Sequence, residues 1–365
     1  MVKILSVVGT RPNFIKIAPL IKEIIRHKKI NCLLVHTGQH YDETMSKTFF
    51  DDLEIPKPNI NLGIGSASDV TQSAKIMLEL EKVFNREKPD LVVVVGDVNS
   101  TFSAAITAKK CGIRVAHVEA GLRSFDMAMP EEINRILTDH ISDFLFTTEQ
   151  SANKNLGNEN IDNNKIFFVG NVMVDTLLSH KKKSRKSNIL GELKIKKNSY
   201  CVLTLHRPSN VDDKKSLNYI LDILNFIQQK IKIIFPVHPR TLKNLKNFGM
   251  LNSIQKQNNI TMVEPLGYLD FLCLMNNARL VVTDSGGIQE ETTILRVPCI
   301  TLRNNTERPI TVEQGTNVVV STDKKEIINA ALKIINGCKI NSKVPRLWDG
   351  NASKRIVSIL ISKLK

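Results

Sequence analysis

The sequence predicts an α/β protein with two doubly wound, Rossmann-like domains that face each other across a cleft. Short β-branched runs alternate with longer segments of helical period, which is typical of βαβ units and a parallel sheet. The alternation lapses in a polar stretch at residues 179–198, and a second series follows it. The length of 365 residues also favours about two domains.

The first series of segments predicts the sheet of an N-terminal domain. Its apolar runs are KILSVVG, CLLVHTG, LVVVVGD and RVAHVEA, with helical segments at residues 11–29, 69–86 and 100–111. The first helical segment places Ile21 and Ile24 on one stripe and Lys22 and Glu23 off it. This spacing predicts an amphipathic helix that packs on the sheet.

The second series predicts a C-terminal domain. Its apolar runs are SYCVLTLH, KIIFPVH, ITMVEP, RLVVTDS, PCITLR and NVVVS, with helical segments at 216–229, 268–277, 288–295, 324–336 and 352–363. The stretch at 179–198 is rich in lysine, serine and asparagine, which is typical of an inter-domain linker. We therefore place the domains at residues 1–172 and 173–350.

Composition favours a globular protein without a membrane or nucleic-acid partner. Hydrophobic residues make up 42% and charged residues 24% of the chain, close to globular averages. The start, MVKILSVVGTRP, is too short an apolar run for a signal peptide or membrane span, so we expect a cytoplasmic protein. Six widely spaced cysteines indicate reduced core residues. The net charge of +15 could attract polyanions, but the sequence lacks aromatic residues interleaved with the lysines for base stacking.

The segment RLVVTDSGGIQEE, around Asp284, is a candidate anion site. A strand, a turn at Ser285, Gly286 and Gly287, and a helix would direct free backbone N–H groups at a phosphate. The glycines would let the chain bend and the anion approach closely. Glu291 follows one turn later, where a carboxylate can accept ribose hydroxyls. The alternative is an ordinary glycine turn with acidic residues that favour a helix N-terminus.

The turn after the first strand carries cations instead of a dinucleotide fingerprint. The segment VGTRP has one glycine where Gly-x-Gly-x-x-Gly requires three, which disfavours NAD, and we expect no cofactor. Arg11 and Lys16 stand at the start of the first helix, where they could neutralise a leaving diphosphate. Either residue alone is also consistent with a turn arginine or a helix-face lysine.

Three carboxylates stand where catalytic groups often lie. Asp97 ends the apolar run LVVVVGD, a position that suits proton transfer but equally suits a cap of the next helix. Glu119 ends RVAHVEAG, and a capping role is harder to assign because Gly121 follows. Glu131 would open a helix, where glutamates are ordinary first-turn residues. Three carboxylates that converge on one cleft would indicate acid/base chemistry.

Two histidines end strands of the second domain with arginines beside them. His206 precedes Arg207, and His238 precedes Pro239 and Arg240. A single strand-end histidine is more often structural, but two with arginines favour an anionic ligand. No His-x-x-x-His motif or carboxylate cluster has metal-ligand spacing, so we expect no metal.

Nine segments occur in the order found in one enzyme family, from residue 9 to residue 309: GTRPNFIK, HTGQH, GDVNST, HVEAGLRS, PEEINR, FVGN, PVHPR, TDSGGIQEE and NNTERP. On these segments the chain resembles the non-hydrolysing UDP-N-acetylglucosamine 2-epimerases. The resemblance implies a fold like that of GT-B glycosyltransferases, with the last helix, residues 351–365, packing back on the first domain. We also expect a homodimer that supplies sugars for cell-surface polysaccharide.

The resemblance implies roles for individual residues. UDP would contact the second domain through Ser285, Gly286 and Gly287 at the phosphates, Glu291 at the ribose, Phe271 near the uracil and Arg308 near the sugar phosphate. Residues near the diphosphate would be Arg11, Lys16 and the family's catalytic histidine, His206. The catalytic carboxylates would be Asp97, Glu119 and Glu131.

The implied reaction is reversible epimerisation at C2 of UDP-N-acetylglucosamine. The C2 proton has no adjacent carbonyl to acidify it, so its removal must be coupled to departure of UDP, which gives 2-acetamidoglucal. Reprotonation from the other face and return of UDP would give UDP-N-acetylmannosamine. Proton transfer on two faces requires at least two acid/base groups.

Two segments of this sequence differ from those of many bacterial members. One follows the catalytic histidine, His206, and the other follows the motif HTGQH. Both would lie near a second UDP-N-acetylglucosamine that activates several members, which disfavours such activation here. Gln39, Arg207 and His238 remain to form part of that pocket. The alternatives are a 2-epimerase of another UDP-2-acetamido sugar and a GT-B glycosyltransferase, which would not require three carboxylates.

Overall fold

The computed structural model describes residues 2–38, 52–321, 323–338 and 340–364, with Arg11 described by its backbone alone. The chain forms two compact units, one of Met1–Ser179 with Arg346–Lys365 and one of His180–Pro345. Each unit contains a parallel sheet whose strands alternate with helices. The predicted α/β class with two doubly wound sheets is therefore confirmed.

The first unit is built on a parallel sheet. Its strands are β1 (Val2–Val8), β2 (Ile30–His36), β3 (Ile60–Asn61), β4 (Leu91–Val95), β5 (Arg114–Ala120), β6 (Phe144–Thr147) and β7 (Ile166–Phe168). They are ordered β3-β2-β1-β4-β5-β6-β7. β4 is buried along its whole length, as expected for an apolar central strand. The strand order reverses between β1 and β4, and ligands of such sheets bind beside that point at the carboxyl ends of the strands.

The helices of this part of the chain are α1 (Arg11–Ile25), α2 (Asp69–Glu87), α3 (Asn99–Lys110), α4 (Pro130–Ile141), α5 (Gln150–Asn158) and α6 (Val172–Ser184). At the start of α1, Oδ1 of Asn13 accepts from the backbone N–H of Thr10 at 3.2 Å and from its hydroxyl at 3.1 Å. The Asn13 amide also donates to the carbonyl of Val95 at 2.8 Å. The start of α1 is thereby fixed to the end of β4.

The second unit has its own parallel sheet. Its strands are β8 (Tyr200–Thr204), β9 (Lys232–Pro236), β10 (Ile260–Val263), β11 (Leu280–Thr283), β12 (Cys299–Leu302) and β13 (Asn317–Val320), ordered β10-β9-β8-β11-β12-β13. Its helices are α7 (Ile189–Glu192), α8 (Pro208–Val211), α9 (Lys214–Ile227), α10 (Pro239–Asn247), α11 (Leu251–Gln255), α12 (Tyr268–Asn276), α13 (Gly286–Leu295), α14 (Ile310–Glu313) and α15 (Lys324–Ile335). The order reverses between β8 and β11, so β8 and β11 should carry the ligand-binding turns.

The last helix, α16 (Ala352–Lys363), belongs to the first unit. Its first backbone N–H groups, those of Ala352 and Ser353, donate to the buried carboxylate of Asp175 on α6 at 3.1 and 2.7 Å. Gly170 of the FVGN motif has φ +90°, and a side chain there would overlap the carbonyl of Leu347. The FVGN motif therefore accommodates the returning C-terminal segment.

The polar stretch predicted as a linker is partly helical. α6 continues to Ser184, and the division between the units falls inside it, after Ser179. Lysines close α6, where positive charge interacts favourably with the carbonyl end of the helix dipole. Over the described ranges, no helix is long and apolar enough to cross a membrane.

Candidate functional site

The turn between β1 and α1 holds a buried lysine. Lys16 lies on the second turn of α1 with 4% of its surface exposed, and its ammonium pairs with the carboxylate of Glu119. Gly96 has φ +70°, which favours glycine, and a Cβ atom there would lie 2.8 Å from the Lys16 ammonium nitrogen and would push it aside. The structure thus brings Lys16 together with Glu119 and the turn that precedes Asp97. The side chain of Arg11, at the start of α1, lies outside the described atoms.

Glu119 has an unusual backbone for a residue of a buried strand. Its φ is +76°, and the pairing of β5 with β6 shifts register between Val118 and Ala120. Positive φ at a non-glycine residue costs free energy and persists where the surroundings require it, often at functional sites. The bulge turns this carboxylate toward Lys16, with 3% of the residue exposed.

Asp97 follows β4 and is bound by an arginine that the sequence prediction did not include. Nε and Nη2 of Arg135 donate to one carboxylate oxygen of Asp97 at 3.1 and 2.6 Å, and the Asn134 amide donates to its carbonyl oxygen at 3.0 Å. The capping alternative is not observed, because the N-cap of α3 is Val98. Asp97 is held as an anion at the carboxyl end of the sheet.

The motif PEEINR opens α4 and contributes more than Glu131. Glu131 is half-buried in the first turn. The next residue, Glu132, is fully buried and accepts from the backbone N–H groups of Ser124 and Phe125 and from Arg135. Glu132 thus has a structural role, because its partners are backbone groups and an arginine from the same helix. The sequence alone could not separate this role from that of Glu131, since the two residues are adjacent glutamates. α4 therefore connects all three predicted carboxylate positions. It carries Glu131, and its Arg135 binds Asp97. Its Asp139 accepts from the backbone N–H of Gly121, two residues after Glu119.

In the second unit, the predicted phosphate loop begins α13 directly. Ser285 is the N-cap and Gly286 the first helical residue, so the helix starts two residues earlier than predicted. A Cβ atom at Gly286 would lie 2.5 Å from Glu307 Oε1 and 2.6 Å from Arg308 Nη1. Gly286 is therefore required for close packing and not for a bend, since Gly286 and Gly287 are helical. The N–H groups of this first turn remain the natural anion donors.

Asp284, next to that loop, turns inward. Its carboxylate accepts from the backbone N–H groups of His206 and Arg207 at 3.0 and 2.9 Å, from the Asn210 amide at 3.1 Å, and from Nδ1 of His206 at 2.8 Å. Burial alone would raise the pKa of Asp284, but the hydrogen bond and charge of His206 outweigh burial and lower the pKa to about 2. Asp284 therefore orients the turn after β8 and does not face a phosphate.

The two predicted histidines lie side by side, with ring centroids 5.5 Å apart. Nδ1 of His206 faces Asp284, which leaves Nε2 as its outward nitrogen. Nδ1 of His238 accepts the backbone N–H of Arg240 at 3.2 Å, so its proton is on Nε2. Arg240 itself pairs with Asp212, whereas Arg207 donates from Nε to the carbonyl of Asp284 at 3.1 Å. Both arginines are thus bound to groups of the protein itself, and the anionic ligand beside the two histidines stays a prediction.

A buried cluster of charges lies behind Gly286. Arg308 pairs with Glu307 and, at 2.8 Å, with Glu290, and Arg303 pairs with Glu307 at 2.7 Å. Burial lowers the pKa of Arg303, and Glu307 opposes this effect. The sequence placed Arg308 near the sugar phosphate. In the structure Arg308 is 3% exposed and is bound to two carboxylates that the sequence did not assign to it.

The sequence suggested that Glu291 is an ionised carboxylate that binds the ribose. Its protonation state in the structure is different. The residue is buried and accepts a hydrogen bond from Tyr268 on α12 at 3.2 Å. Burial raises the pKa of Glu291 to about 8, so this carboxyl is protonated near neutral pH. Phe271 is half-buried one turn after Tyr268, on the same face of α12. The only signal in the sequence for a role of Tyr268 at this site is its helical spacing from Phe271.

Gln39 of the possible second pocket lies outside the described residues. Across the part of the chain that the structure covers, no group of three or more His, Cys, Asp or Glu side chains is arranged to hold a metal ion.

Comparison with known proteins gives consistent matches over nearly the whole chain. A family model described as UDP-N-acetylglucosamine 2-epimerase matches residues 22–361. A UDP-N-acetylglucosamine 2-epimerase homolog of Methanococcus maripaludis is 49% identical over 98% of this chain and 99% of its own. A UDP-2,3-diacetamido-2,3-dideoxy-D-glucuronate 2-epimerase of Pseudomonas aeruginosa is 39% identical, over 98% and 99% of the two chains.

Among solved structures, the chain is similar to UDP-GlcNAc 2-epimerase of Methanocaldococcus jannaschii in complex with UDP-GlcNAc and UDP. That structure superposes with a TM-score of 0.94 at 47% identity and covers 99% of each chain.

Proposed function

The chain belongs to the UDP-N-acetylglucosamine 2-epimerase family, and from that membership we propose that it interconverts UDP-N-acetylglucosamine and UDP-N-acetylmannosamine. The observation that carries this proposal is the buried pair of Lys16 and Glu119 beside the turn that bears Asp97. A strained carboxylate paired with a buried cation suits a group that exchanges protons.

The proposed reaction is an elimination followed by an addition. A carboxylate takes the proton from C2, the electron pair of the C2–H bond forms a C1=C2 double bond, and UDP leaves with the electron pair of the C1–O bond. The intermediate is 2-acetamidoglucal. A proton then adds to C2 from the opposite face while the UDP oxygen returns to C1.

The first unit would supply the proton-transfer groups. Asp97 is ionised because Arg135 binds it through two donors, which suits a base. Glu119 and Glu131 provide further acid/base groups, and we leave open which of the three acts on each face. Lys16 would neutralise charge that develops on the leaving diphosphate.

The second unit would bind UDP. The first turn of α13, at Ser285, Gly286 and Gly287, would hold the diphosphate through backbone N–H groups. Nε2 of His206, turned outward by Asp284, would donate to the leaving oxygen.

The remaining substrate contacts are proposed from the family resemblance and the placement of the side chains. Glu291 would hold the ribose with the Tyr268 hydroxyl beside it, and Phe271 would lie near the uracil. Arg11, Arg207 and Arg308 would supply positive charge near the phosphates.

The proposal also includes the cellular setting. We place the enzyme in the cytoplasm as a homodimer whose product serves cell-surface polysaccharide. Gel filtration with light scattering tests the homodimer, and a monomer at micromolar concentration would contradict it.

Proton NMR of UDP-N-acetylglucosamine in heavy water tests the reaction. We expect deuterium at C2 and a UDP-N-acetylmannosamine signal, without added metal or NAD. Release of UDP with neither C2 exchange nor the mannosamine product would refute the proposal and favour a glycosyltransferase or hydrolase.

The alternative substrate is a UDP-linked diacetamido uronic acid. The observation that supports it is the 39% identity to a 2-epimerase of such a sugar. A uronate would require a further cation for its C5 carboxylate. The same NMR assay with UDP-2,3-diacetamido-2,3-dideoxy-glucuronate decides between the substrates, and a larger kcat/KM for the uronate would reassign the activity.

A further inference from the structure

His117 lies in the middle of β5, fully buried, and both of its ring nitrogens are bound. Nδ1 is 2.6 Å from Asp139 Oδ1, and Nε2 is 2.8 Å from the carbonyl oxygen of Gly96. Neither His117 nor Asp139 has a part in the proposed reaction. A buried histidine with two short polar contacts nevertheless requires an explanation.

The contacts determine the protonation state of His117. The carbonyl of Gly96 only accepts, so Nε2 carries a hydrogen. Oδ2 of Asp139 accepts from the Gly121 backbone N–H at 3.0 Å and from the buried guanidinium of Arg123 at 2.7 Å, and this positive charge favours the ionised carboxylate. Burial alone would raise the pKa of Asp139, but the charges and hydrogen bonds of His117 and Arg123 lower it. Nδ1 therefore also carries a hydrogen, and His117 is an imidazolium.

This ion pair contacts the three segments that bear the proposed acid/base groups. Gly96 immediately precedes Asp97, and its own N–H donates to the carbonyl of Val118 at 3.0 Å, so the turn is held at both ends. Gly121 follows Glu119 by two residues, and its N–H binds Asp139. Asp139 itself lies on α4.

α4 begins at Pro130, and Glu131 is in its first turn. A single buried pair thus ties together the ends of β4 and β5 and the helix that carries Glu131. Proton transfer depends on sub-ångström placement of the reacting groups, and an error of about 1 Å can cost about a hundredfold in rate.

We propose that His117 and Asp139 are positioning residues, whose ion pair fixes the relative placement of Asp97, Glu119 and Glu131. This inference rests on the proposed function, in which those carboxylates transfer the C2 proton. A purely structural pair would change the stability of the protein but not the turnover of the molecules that remain folded.

The test compares His117→Gln with the control Thr138→Val. Glutamine is neutral and cannot bridge Asp139 and Gly96 at once. Thr138 lies beside Asp139, is fully buried, and has a hydroxyl that makes no hydrogen bond to the residues the structure describes, so valine should be tolerated. For each protein, kcat and KM for C2 deuterium exchange and the Kd for UDP are measured, with active sites counted by UDP titration.

We expect kcat of His117→Gln to fall by about a hundredfold, with KM and the UDP Kd within about twofold of wild type. Thr138→Val should keep kcat within about twofold. An unchanged kcat per folded His117→Gln site would overturn the positioning role. Absence of exchange in the wild-type protein would instead refute the proposed function.

Nitrogen-15 NMR of histidine-labelled wild-type protein gives a readout that does not depend on turnover or on the folding of a variant. At neutral pH, one histidine should show two protonated ring nitrogens with slowly exchanging hydrogens. That signal should be absent from His117→Gln if the variant folds. Spectra in which every buried histidine is a neutral tautomer would overturn the ion pair and the inference with it.

Discussion

Arg135 donates two hydrogen bonds to one carboxylate oxygen of Asp97, from Nε at 3.1 Å and from Nη2 at 2.6 Å. Its remaining terminal nitrogen binds the buried Glu132 at 2.5 Å. One guanidinium therefore orients Asp97, one of the proposed acid/base groups, and holds the loop that Glu132 anchors. Lysine, as a single point of positive charge, cannot reproduce this fork.

Arg135→Lys should lower kcat by about tenfold to a hundredfold while the UDP Kd stays within about twofold. Asp97 would keep a cation nearby but lose its fixed orientation. The measurement is C2 exchange together with calorimetric UDP titration. Arg355→Lys is the control, because Arg355 also binds a carboxylate and backbone carbonyls of the first unit. A loss of kcat as large in the control as in Arg135→Lys would argue against orientation of Asp97.

Gly286→Ala should weaken UDP binding by at least about tenfold. The new methyl group would lie 2.5 Å from Glu307 Oε1 and 2.6 Å from Arg308 Nη1, in a buried ion pair that cannot move without losing contacts. Calorimetric titration with UDP measures the effect. The control is Gly157→Ala on α5, where, apart from the adjoining backbone, no heavy atom of the described residues lies within 4 Å of the added carbon.

Gly157→Ala should leave the UDP Kd unchanged and stabilise the fold by roughly 0.5 to 1 kcal/mol, because alanine favours a helix more than glycine does. Equal UDP affinity in wild type and Gly286→Ala would show that the first turn of α13 can shift at little cost, and would weaken the proposed diphosphate site.

Much of the fold followed from local patterns in the sequence. The continuous apolar run LVVVV of β4 and the amphipathic stripe of α1 are both patterns of neighbouring residues, which the sequence shows directly. Positions where strands end were also predictable, so Asp97, Glu119 and His206 could be placed at the carboxyl edges of the sheets. The α/β class required no long-range information.

The supporting residues could not be found in this way. Arg135 and Asp97 are 38 residues apart, and Tyr268 and Glu291 are 23 apart, so their contacts depend on how separate elements pack. Tyrosine and arginine on a helix are also ordinary residues. The inward turn of Asp284 was likewise unpredictable, since its partners come from the turn after β8.

Glu291 should make stability depend on pH. In the unfolded chain its pKa is near 4.5, whereas burial raises it to about 8 in the folded protein. The folded state therefore binds more protons between these values, so this contribution to stability is fully present below pH 4.5 and is lost as the pH rises through about 8.

Glu291→Gln removes this titration and should flatten the pH dependence, by an amount on the order of a few kcal/mol between the two limits. Urea unfolding across this range measures it, and the exposed Glu313→Gln serves as the control. Parallel stability curves for wild type and Glu291→Gln would show that Glu291 ionises normally in the folded protein.

Asp175 anchors the C-terminal helix to the first unit, and its removal should release that helix. Its carboxylate accepts from the backbone N–H groups of Ala352 and Ser353 and from the Ser353 hydroxyl. Burial raises the pKa of Asp175 in spite of these donors. Asp175→Ala would leave buried N–H groups unpaired, at a cost of about 1 to 3 kcal/mol each.

The matched control is Asp213→Ala, which removes an exposed N-cap of α9 and should cost about 1 kcal/mol. Limited proteolysis with mass spectrometry follows cleavage around residues 346–352. We expect rapid cleavage there in Asp175→Ala and not in Asp213→Ala, because loss of stability alone would not select this segment. Equal cleavage in both variants would mean that α16 is held by its apolar face, which includes Ile356, Val357 and Leu360, and that Asp175 adds little.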